Sequence, residues 1–288
     1  LSFGIDRSSP VVAVGGGVVG DVAGLAAALL MRGVPFVQVP TSLIAQVDSS
    51  IGGKTGINHA TGKNLVGAFH QPSLVLTDTG KLSSLPLAEW MAGLSEVVKT
   101  ALIWDADLFS LLLDRWGAIL DRDPKTVSDI VSRCAEIKVS IVQADELESG
   151  RRAILNFGHT FGHALEKVAG YAGVTHGIAV AAGMRAALHL SELRYPEQDF
   201  SRALELVNRL PKPSEAAAIS AEAISAAAED ATAINIDALV DAMLMDKKRV
   251  GGRLRFVLLD RVGSAVLVDD VTDREIRSGW KFSLGPFK

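Results

Sequence analysis

The stretch VVAVGGGVVGDVAGLAAALL, residues 11–30, decides the fold class of this chain. A β-branched run at residues 11–14 ends in three consecutive glycines, and an apolar, Ala-rich run then continues to residue 31. This order predicts a strand, a tight turn and a helix, which make one βα unit. Two more strands are predicted at residues 35–39 and 74–76, which indicates an α/β fold with a parallel sheet. Because a doubly wound sheet needs strands ahead of residue 11, we expect an N-terminal segment to be missing.

After Pro86 the spacing of apolar residues becomes helical. Helices are predicted over residues 87–103, 108–120, 124–143, 159–169, 177–193, 202–210 and 236–245. Alternation at residues 253–259 and an apolar run at 265–268 predict two strands. The Ala-rich residues 214–233 carry Glu and Asp at intervals and indicate solvated helices. The predicted organisation is an α/β domain, residues 1–85, followed by a mostly α-helical domain, residues 86–288.

The composition excludes several classes of protein. Hydrophobic residues make up 48% of the 288 residues and charged residues 22%, which is typical of an ordinary globular protein. A net charge of −4 argues against a nucleic-acid partner, which usually needs a clustered basic face. The longest apolar stretch, residues 22–31, is too short to span a bilayer. The lone cysteine, Cys134, excludes an internal disulfide, and we expect a soluble cytoplasmic protein without a membrane partner.

Two polar stretches are candidates for ligand binding. In GGGVVGD, residues 15–21, backbone N–H groups at a helix start could approach a phosphate, although a plain tight turn explains the glycines equally well. Residues 40–67 contain five glycines and little apolar pattern after Ile51, so we expect something other than packing to order them. Their amides and lysines suit a phosphate or a polyhydroxylated substrate, and the alternative is a solvated loop. The polar residues of interest there are Asp48, Lys54, Asn58, Lys63 and Asn64.

A third group combines histidines with one helical acid. In LNFGHTFGHALE, residues 155–166, His159 and His163 stand at i and i+4 on one helix face. His176 begins a later predicted helix, and Glu96 and Lys99 stand at i and i+3 on an earlier one. A carboxylate and imidazoles from separate helices are typical of a catalytic zinc site with an open position. The charge run DKK, residues 246–248, indicates only a solvated helix end.

Taken in chain order, these segments resemble the 3-dehydroquinate synthase family. The matching stretches are GGGVVGDVAG, RGVPFVQVPTSLIAQVDSSIGGKTGIN, GKNLVGAFHQP, GLSEVVK, ADELESGRRAILNFGHTFGHALE, THGIAVAAGM and DKKRVGGRLRFVLL. The resemblance implies a Rossmann-like N-terminal α/β domain that binds NAD, then a helical metal-binding domain. It also implies that 3-deoxy-D-arabino-heptulosonate 7-phosphate is converted to 3-dehydroquinate by transient oxidation, phosphate elimination, re-reduction and aldol closure.

The resemblance further assigns roles to individual positions. The metal ligands, for Zn²⁺ or Co²⁺, would be Glu96, His159 and His176. The substrate pocket would comprise Asp48, Lys54, Asn64, Lys99, Lys138, Arg152, Asn156, His163 and one of Lys247 and Lys248. The NAD contacts would be Gly15, Gly16, Gly17, Asp21, Thr41, Ser42, Lys54, Lys63, Asp78 and Thr79. Arg32 would reach the phosphate bound by a neighbouring subunit, which implies a homodimer.

The sequence departs from the family pattern at two places and leaves alternatives open. Ile178 stands where the family usually has Glu, and Lys-Thr-Ala replaces a more usual lysine-aromatic-glycine after residue 98. One alternative is a sugar-phosphate cyclase of secondary metabolism that makes a valiolone, an inosose or an amino-dehydroquinate. A second is a metal-dependent alcohol dehydrogenase, and a third is an inactive fragment or interaction module. Retention of Lys138, Arg152, Asn156 and His163 favours a substrate that carries a carboxylate.

Overall fold

The computed structural model describes residues 4, 6–59, 62–148, 150–170, 174–215, 235–249 and 254–285, with the backbone alone described at residues 62–64, 215 and 246–249. The chain divides into two compact units, of which the first comprises residues 1–93 and 117–152. The second comprises residues 94–116 and 153–288. Each unit is assembled from two separate segments, whereas a boundary after residue 85 gives two contiguous domains. That boundary stays a prediction.

The first unit contains a parallel three-stranded sheet. Strand β1 (Val11–Gly15) pairs with β2 (Phe36–Pro40), and β2 pairs with the short strand β5 (Leu74–Val75). Helix α1 (Gly17–Leu29) connects β1 to β2, and a small apolar cluster that includes Ala27 and Phe36 joins the helix to the sheet. The predicted strand–turn–helix order and the parallel pairing are therefore present in the described residues.

An antiparallel hairpin occupies part of the stretch that we expected to lack packing. Strands β3 (Lys54–His59) and β4 (Gly62–Phe69) pair with Gly56 opposite Gly67. A Cβ atom on Gly67 would lie 2.3 Å from the carbonyl oxygen of Thr55, so this glycine permits a close approach of two strands. The residues just before the hairpin form a single π-helical turn, Ala45–Ser49, in which Gln46 and Val47 are buried. Backbone pairing thus orders the hairpin, whereas its apolar side chains Ile57, Leu65 and Val66 are exposed, as the weak apolar pattern after Ile51 indicated.

The remaining elements are mostly helices. Their bounds are α2 (Leu87–Trp104), α3 (Ala106–Asp114), α4 (Trp116–Leu120), α5 (Pro124–Ala144), α6 (His159–Val168), α7 (His176–Arg194), α8 (Ser201–Asn208), α9 (Ile236–Arg249) and α10 (Asp273–Leu284). The single helix predicted over residues 108–120 is split, because Arg115 leaves the helical region with φ −110° and ψ 17°. The antiparallel strands β6 (Phe256–Arg261) and β7 (Ser264–Val268) confirm the predicted pair. Apart from residues 214 and 215, the Ala-rich stretch lies outside the described residues.

Helix α10 was not predicted, although the sequence carries a signal for its start. The side chain of Thr272 accepts a hydrogen bond from the backbone N–H of Glu275, and the Glu275 carboxylate accepts one from the backbone N–H of Thr272. This reciprocal pair is a capping box, and its Thr-x-x-Glu spacing is readable in the sequence.

Helix α7 is the central element of the second unit. Residues 177–188 are all buried, and α6, α10 and β6 pack against this helix. Aromatic rings extend the core, since Phe161 of α6 meets Trp280 of α10 edge-on with ring centroids 5.1 Å apart. In the part of the chain that the structure describes, no helix has the length and apolarity needed to cross a membrane.

Candidate metal centre and substrate-binding groups

One carboxylate and two imidazoles from three helices converge in the second unit. Glu96 lies on α2, His159 begins α6 and His176 begins α7. Oε1 of Glu96 lies 3.2 Å from Nε2 of His176 and 3.6 Å from Nε2 of His159. Among the described residues these three form the group whose ligand atoms all lie within 4.8 Å of one another. Helix packing has thus assembled three residues that the sequence spreads over 80 positions.

Glycines bring helices α6 and α7 close enough to form this group. Gly158 precedes α6 with φ 77°, and a Cβ atom there would lie 2.8 Å from the backbone nitrogen of Met184. On the facing helix, a Cβ atom on Gly183 would lie 1.9 Å from the carbonyl oxygen of Gly158. Side chains at either position would push the helices apart. The close approach leaves the His159 and His176 rings with centroids 5.3 Å apart.

The outer ring nitrogens of both histidines also have partners. Nδ1 of His159 lies 3.2 Å from the carbonyl oxygen of Phe157. Nδ1 of His176 lies 3.5 Å from Oε1 of Glu166, a buried residue of α6 that we did not predict. Spacing could have suggested Glu166, since it lies seven residues, about two helical turns, after His159. Contacts of this kind orient the ring of a metal-binding histidine.

The charges of the group compensate one another. Burial by itself would raise the pKa of Glu96, but the ammonium of Lys99 and the two imidazoles outweigh it, so this pKa lies well below its usual range. Lys99 is equally buried and forms an ion pair with Glu96. Burial, reinforced by Lys99, lowers the pKa of His159 to about 3. Burial also opposes charge on His176, but its hydrogen bonds to Glu166 and Glu96 prevail and raise its pKa to about 9.

The donor set fits a divalent cation. One carboxylate oxygen and two imidazole nitrogens are the ligands of catalytic zinc sites that keep a position open for substrate. His163, the other half of the HxxxH pair, is exposed, and its ring centroid lies 5.4 Å from that of His159. His163 does not belong to the converging group. The geometry therefore separates the two histidines that spacing alone would pair.

The first unit holds a second charged group, around α5. Nζ of Lys138 forms an ion pair with the Asp48 carboxylate and donates to the Asp48 carbonyl oxygen at 2.5 Å. Asp21, at the start of α1, responds to the same charges. Burial and the nearby Asp48 carboxylate raise the pKa of Asp21 to about 6, with Lys138 opposing them. This arrangement brings together two predicted substrate residues and one predicted NAD contact.

Arg152 is held by backbone carbonyl oxygens of the first unit. Its guanidinium donates to the carbonyl oxygens of Gly52 at 3.0 Å and of Glu146 at 2.6 Å, and only 2% of the residue is exposed. A Cβ atom on Gly52 would lie 2.3 Å from one guanidinium nitrogen, and φ is 104°, so a larger residue there would strain the backbone and displace the guanidinium. The neighbouring Arg151 is exposed. The structure thus distinguishes two adjacent arginines that look alike in the sequence.

Two acidic residues of the segment before Arg152 were missed at the sequence level. Glu148 forms an ion pair with Lys54, and the Glu146 carboxylate accepts a hydrogen bond from Gln71 at 2.9 Å. Both acids belong to the run ADELESG, whose charge density is the signal that could have drawn attention to them. Lys54 therefore carries a carboxylate partner that orients it.

The glycine turn at the end of β1 lets two serine hydroxyls lie close to its backbone. A Cβ atom on Gly17 would lie 3.0 Å from the Ser49 hydroxyl, and one on Gly16 would lie 3.3 Å from that of Ser42. Both hydroxyl oxygens are buried and lack a hydrogen-bond partner among the residues that the structure describes. Buried hydroxyls usually have a partner. Two such groups beside the N-terminus of α1 therefore fit a polar ligand such as a nucleotide.

The other predicted positions are spread over both units. Thr41 follows β2, while Asp78 accepts a hydrogen bond from the N–H of Gly80 and Thr79 begins that short turn. Arg32 is exposed. Asn156 ends a 3₁₀ turn, Arg151–Asn156, shortly before α6. The backbones of Lys63 and Asn64 lie in β4, and those of Lys247 and Lys248 lie in α9, but their side chains are outside the described part.

Two family profiles cover most of the chain. The profile described as 3-dehydroquinate synthase N-terminal matches residues 1–92, and the one described as 3-dehydroquinate synthase C-terminal matches residues 93–249. The chain belongs to the 3-dehydroquinate synthase family. A family member from Salinibacter ruber is 51% identical over 284 residues, which are 98% of this chain and 74% of that relative. The resemblance found from the sequence motifs is thereby confirmed.

Solved structures of two cyclases share this fold. One is 2-epi-5-epi-valiolone synthase from Streptomyces hygroscopicus with NAD⁺ and Zn²⁺ bound, which is 31% identical to this chain with a TM-score of 0.81. That match covers 96% of this chain and 74% of the synthase. The other is 2-deoxy-scyllo-inosose synthase complexed with carbaglucose-6-phosphate, NAD⁺ and Co²⁺, also at 31% identity and a TM-score of 0.81. That match covers 97% of this chain and 75% of the other.

Proposed function

We propose that this member of the family converts 3-deoxy-D-arabino-heptulosonate 7-phosphate to 3-dehydroquinate and phosphate, a carbon–oxygen lyase step of the shikimate pathway. The observation that carries the proposal is the convergence of Glu96, His159 and His176 in a chain matched by both family profiles. Identity of 51% to a 3-dehydroquinate synthase, against 31% to the two cyclases named for other products, favours this substrate. A related cyclase reaction, such as amino-dehydroquinate synthesis, is the alternative.

In this proposal Glu96, His159 and His176 hold Zn²⁺ or Co²⁺. The cation supplies Lewis acidity, which polarises a substrate oxygen and lowers the pKa of a hydroxyl. Lys99 keeps Glu96 ionised through the buried ion pair, so a carboxylate is present to act as a ligand. His163 is exposed beside His159 and can donate a proton or a hydrogen bond to the departing phosphate.

We assign the remaining substrate contacts by charge. Lys54, Asn64 and Asn156 would act with His163 on the phosphate, while Lys138 and Arg152 would bind the carboxylate and hydroxyls. The pairs Lys54–Glu148 and Lys138–Asp48 restrict the two lysines before substrate binds, which lowers the entropy lost on binding. Asp48, Lys99 and one of Lys247 and Lys248 complete the proposed contacts.

The glycine turn is the proposed NAD site, with contacts from Gly15, Gly16, Gly17, Asp21, Thr41, Ser42, Lys54, Lys63, Asp78 and Thr79. NAD would supply a reversible hydride acceptor, and the net reaction would then be redox-neutral. The backbone N–H groups that begin α1 attract the anionic pyrophosphate, and the exposed Val18 leaves their surroundings open. The buried hydroxyls of Ser42 and Ser49 gain a partner when a polar ligand is bound.

Three broader assignments belong to the same proposal. Residues 1–85 form the Rossmann-like NAD-binding domain, and residues 86–288 form the metal- and substrate-binding domain. The protein is a homodimer in which Arg32, an exposed residue, contacts the phosphate bound by the partner subunit. It acts in the cytoplasm, where a chain with one cysteine meets a reducing environment.

The net reaction distinguishes this proposal from its rivals. Protein loaded with Zn²⁺ and NAD should release phosphate from the heptulosonate phosphate, and absorbance at the NADH wavelength should not change lastingly. Stoichiometric NADH would instead indicate a dehydrogenase. Calorimetric titration with NAD tests the interaction-module alternative, which predicts no binding. Mass spectrometry of the product, with the amino analogue of the substrate offered in parallel, tests the amino-dehydroquinate alternative.

A further inference from the structure

The imidazole of His176 lies between two buried carboxylates of the second unit. Its Nε2 is 3.2 Å from Oε1 of Glu96, and its Nδ1 is 3.5 Å from Oε1 of Glu166. Only 1% of Glu166 is exposed. An ionised carboxylate at such a place is costly unless it is hydrogen-bonded or paired. The contact with His176 therefore offsets part of the energetic cost of burying the Glu166 carboxylate.

Glu166 stands outside the ligand group itself. The converging group comprises Glu96, His159 and His176. Oε1 of Glu166 lies instead near Nδ1, on the other side of the His176 ring. The Nε2 atoms of both histidines face the same oxygen of Glu96. A cation at that position would therefore be bound by Nε2 of His176, and Nδ1 would remain to carry the ring proton.

We propose that Glu166 is a positioning residue for the metal centre, which accepts a hydrogen bond from Nδ1–H of His176 and so directs the Nε2 lone pair to the cation. This inference rests on the proposed function. A neutral imidazole carries its proton on one nitrogen only, so a partner that holds the proton on Nδ1 leaves Nε2 available as ligand. A carboxylate in this role also makes the ring a stronger donor to the metal.

His159 obtains comparable support from the backbone. Its Nδ1 lies 3.2 Å from the carbonyl oxygen of Phe157, a group that every residue at that position supplies. For His176 the corresponding group is a side chain. Substitution of Glu166 therefore removes the outer support of one ligand and leaves that of the other intact, which makes the inference testable.

The test measures Zn²⁺ affinity of the purified chain by competition with a chromophoric chelator. Glu166→Gln keeps the size of the side chain and removes its charge, and it should weaken Zn²⁺ binding by about tenfold to a hundredfold. Glu192→Gln is the matched control, since Glu192 is exposed on the same helix as His176 and 16 residues further on, about 24 Å along the axis. The control should bind Zn²⁺ as the unchanged protein does.

A merely structural role for Glu166 predicts a different pattern. Glu166→Gln would then lower the thermal stability of the metal-free protein and leave Zn²⁺ affinity unchanged, which would overturn the inference. In a His176→Ala background, Glu166→Gln should change the residual affinity by less than about twofold, because Glu166 acts through that ring. An equal loss in both backgrounds would also overturn it.

Two further variants keep the test decisive. Should Glu166→Gln yield no folded protein, Glu166→Asp replaces it, since it keeps the charge but withdraws the carboxylate from Nδ1, and the same loss of affinity is expected. His176→Ala alone separates this inference from the proposed function. If that variant binds Zn²⁺ with full affinity, the proposed metal centre is wrong. If it loses Zn²⁺ while the Glu166 variants keep full affinity, only the positioning role fails.

Discussion

The two charged groups of this protein rest on different supports. The group around Glu96 and His176 is carried by helices and packed through glycines, and its charges compensate one another in buried surroundings. The cations of the first unit come from helix α5, which carries Lys138, and from a 3₁₀ turn, which carries Arg152, and both donate to backbone carbonyl oxygens. Helices fix the first group through packing, whereas hydrogen bonds fix the second. Substitutions should therefore fail in different ways in the two groups.

The largest expected effect tests the helical group. His176→Ala removes one of three ligands, so the variant should lose its metal on dialysis and nearly all of its activity, with little loss of secondary structure. His163→Ala should keep near-stoichiometric metal and lose activity on the order of a hundredfold, because a proton-bearing contact is gone. Metal analysis and circular dichroism of both variants check this. A metal-free His163→Ala beside a metal-loaded His176→Ala would reverse the ligand assignment.

The next effect tests the cations that are fixed by hydrogen bonds to backbone carbonyl oxygens. Arg152→Ala should lower kcat/KM by on the order of a hundredfold or more, since a bidentate carboxylate contact is lost. It should also lower the midpoint of thermal unfolding, because the carbonyl oxygens of Gly52 and Glu146 lose their donor. Arg151→Ala is the control, and we expect a change of less than a few-fold at that exposed position. Equal small effects from both would show that the pocket is misplaced.

A third test concerns the glycine packing beneath the metal centre. In Gly158→Ala the backbone would have to keep a left-handed φ of 77°, and the added Cβ atom would lie 2.8 Å from the backbone nitrogen of Met184. The substitution should therefore destabilise the fold by roughly 2–5 kcal/mol. Gly170→Ala has φ 69°, and no atom of the described residues lies within 4 Å of the added Cβ atom, so this variant measures mainly the backbone strain, about 1–2 kcal/mol. Denaturant unfolding of both variants gives the difference. Equal losses would mean that close helix approach is unimportant.

The smallest effect concerns pH and the first unit. Burial and Asp48 raise the pKa of Asp21 to about 6 from 3.8, so folding disfavours its ionised form. As pH rises from about 4 to about 6, Asp21 should therefore lower the free energy of unfolding of the unchanged protein, because the buried carboxyl group has to ionise. Asp21→Asn should unfold at a higher temperature than the unchanged protein at pH 7, and the gap should shrink towards pH 4. The exposed Asp129→Asn is the control. If the difference in unfolding temperature between Asp21→Asn and the unchanged protein does not vary with pH, the raised pKa of Asp21 is wrong.

Regular elements with clear periodicity were predictable from the sequence. The structure has the predicted turn between β1 and α1. The observed ends of the long helices α2, α5 and α7 lie within a few residues of the predicted ones. The hairpin of β3 and β4 was missed, because glycines that permit close strand pairing look like loop residues in the sequence. Helix α10 was missed although its capping box is local. These errors show that glycine is ambiguous without its neighbours in space.

The sequence by itself determined the family, the α/β character of the first strands and the residue types of the candidate site. Residue spacing alone could not decide which histidines converge, because i and i+4 spacing favours His159 with His163. The family resemblance pointed instead to His159 and His176, and helix packing brings these two together. The sequence alone did not reveal Glu166, whose importance arises from a contact with a ring on another helix. Residues of one element are related by a fixed period. Residues of different elements meet only through packing, and packing is a property of the tertiary structure.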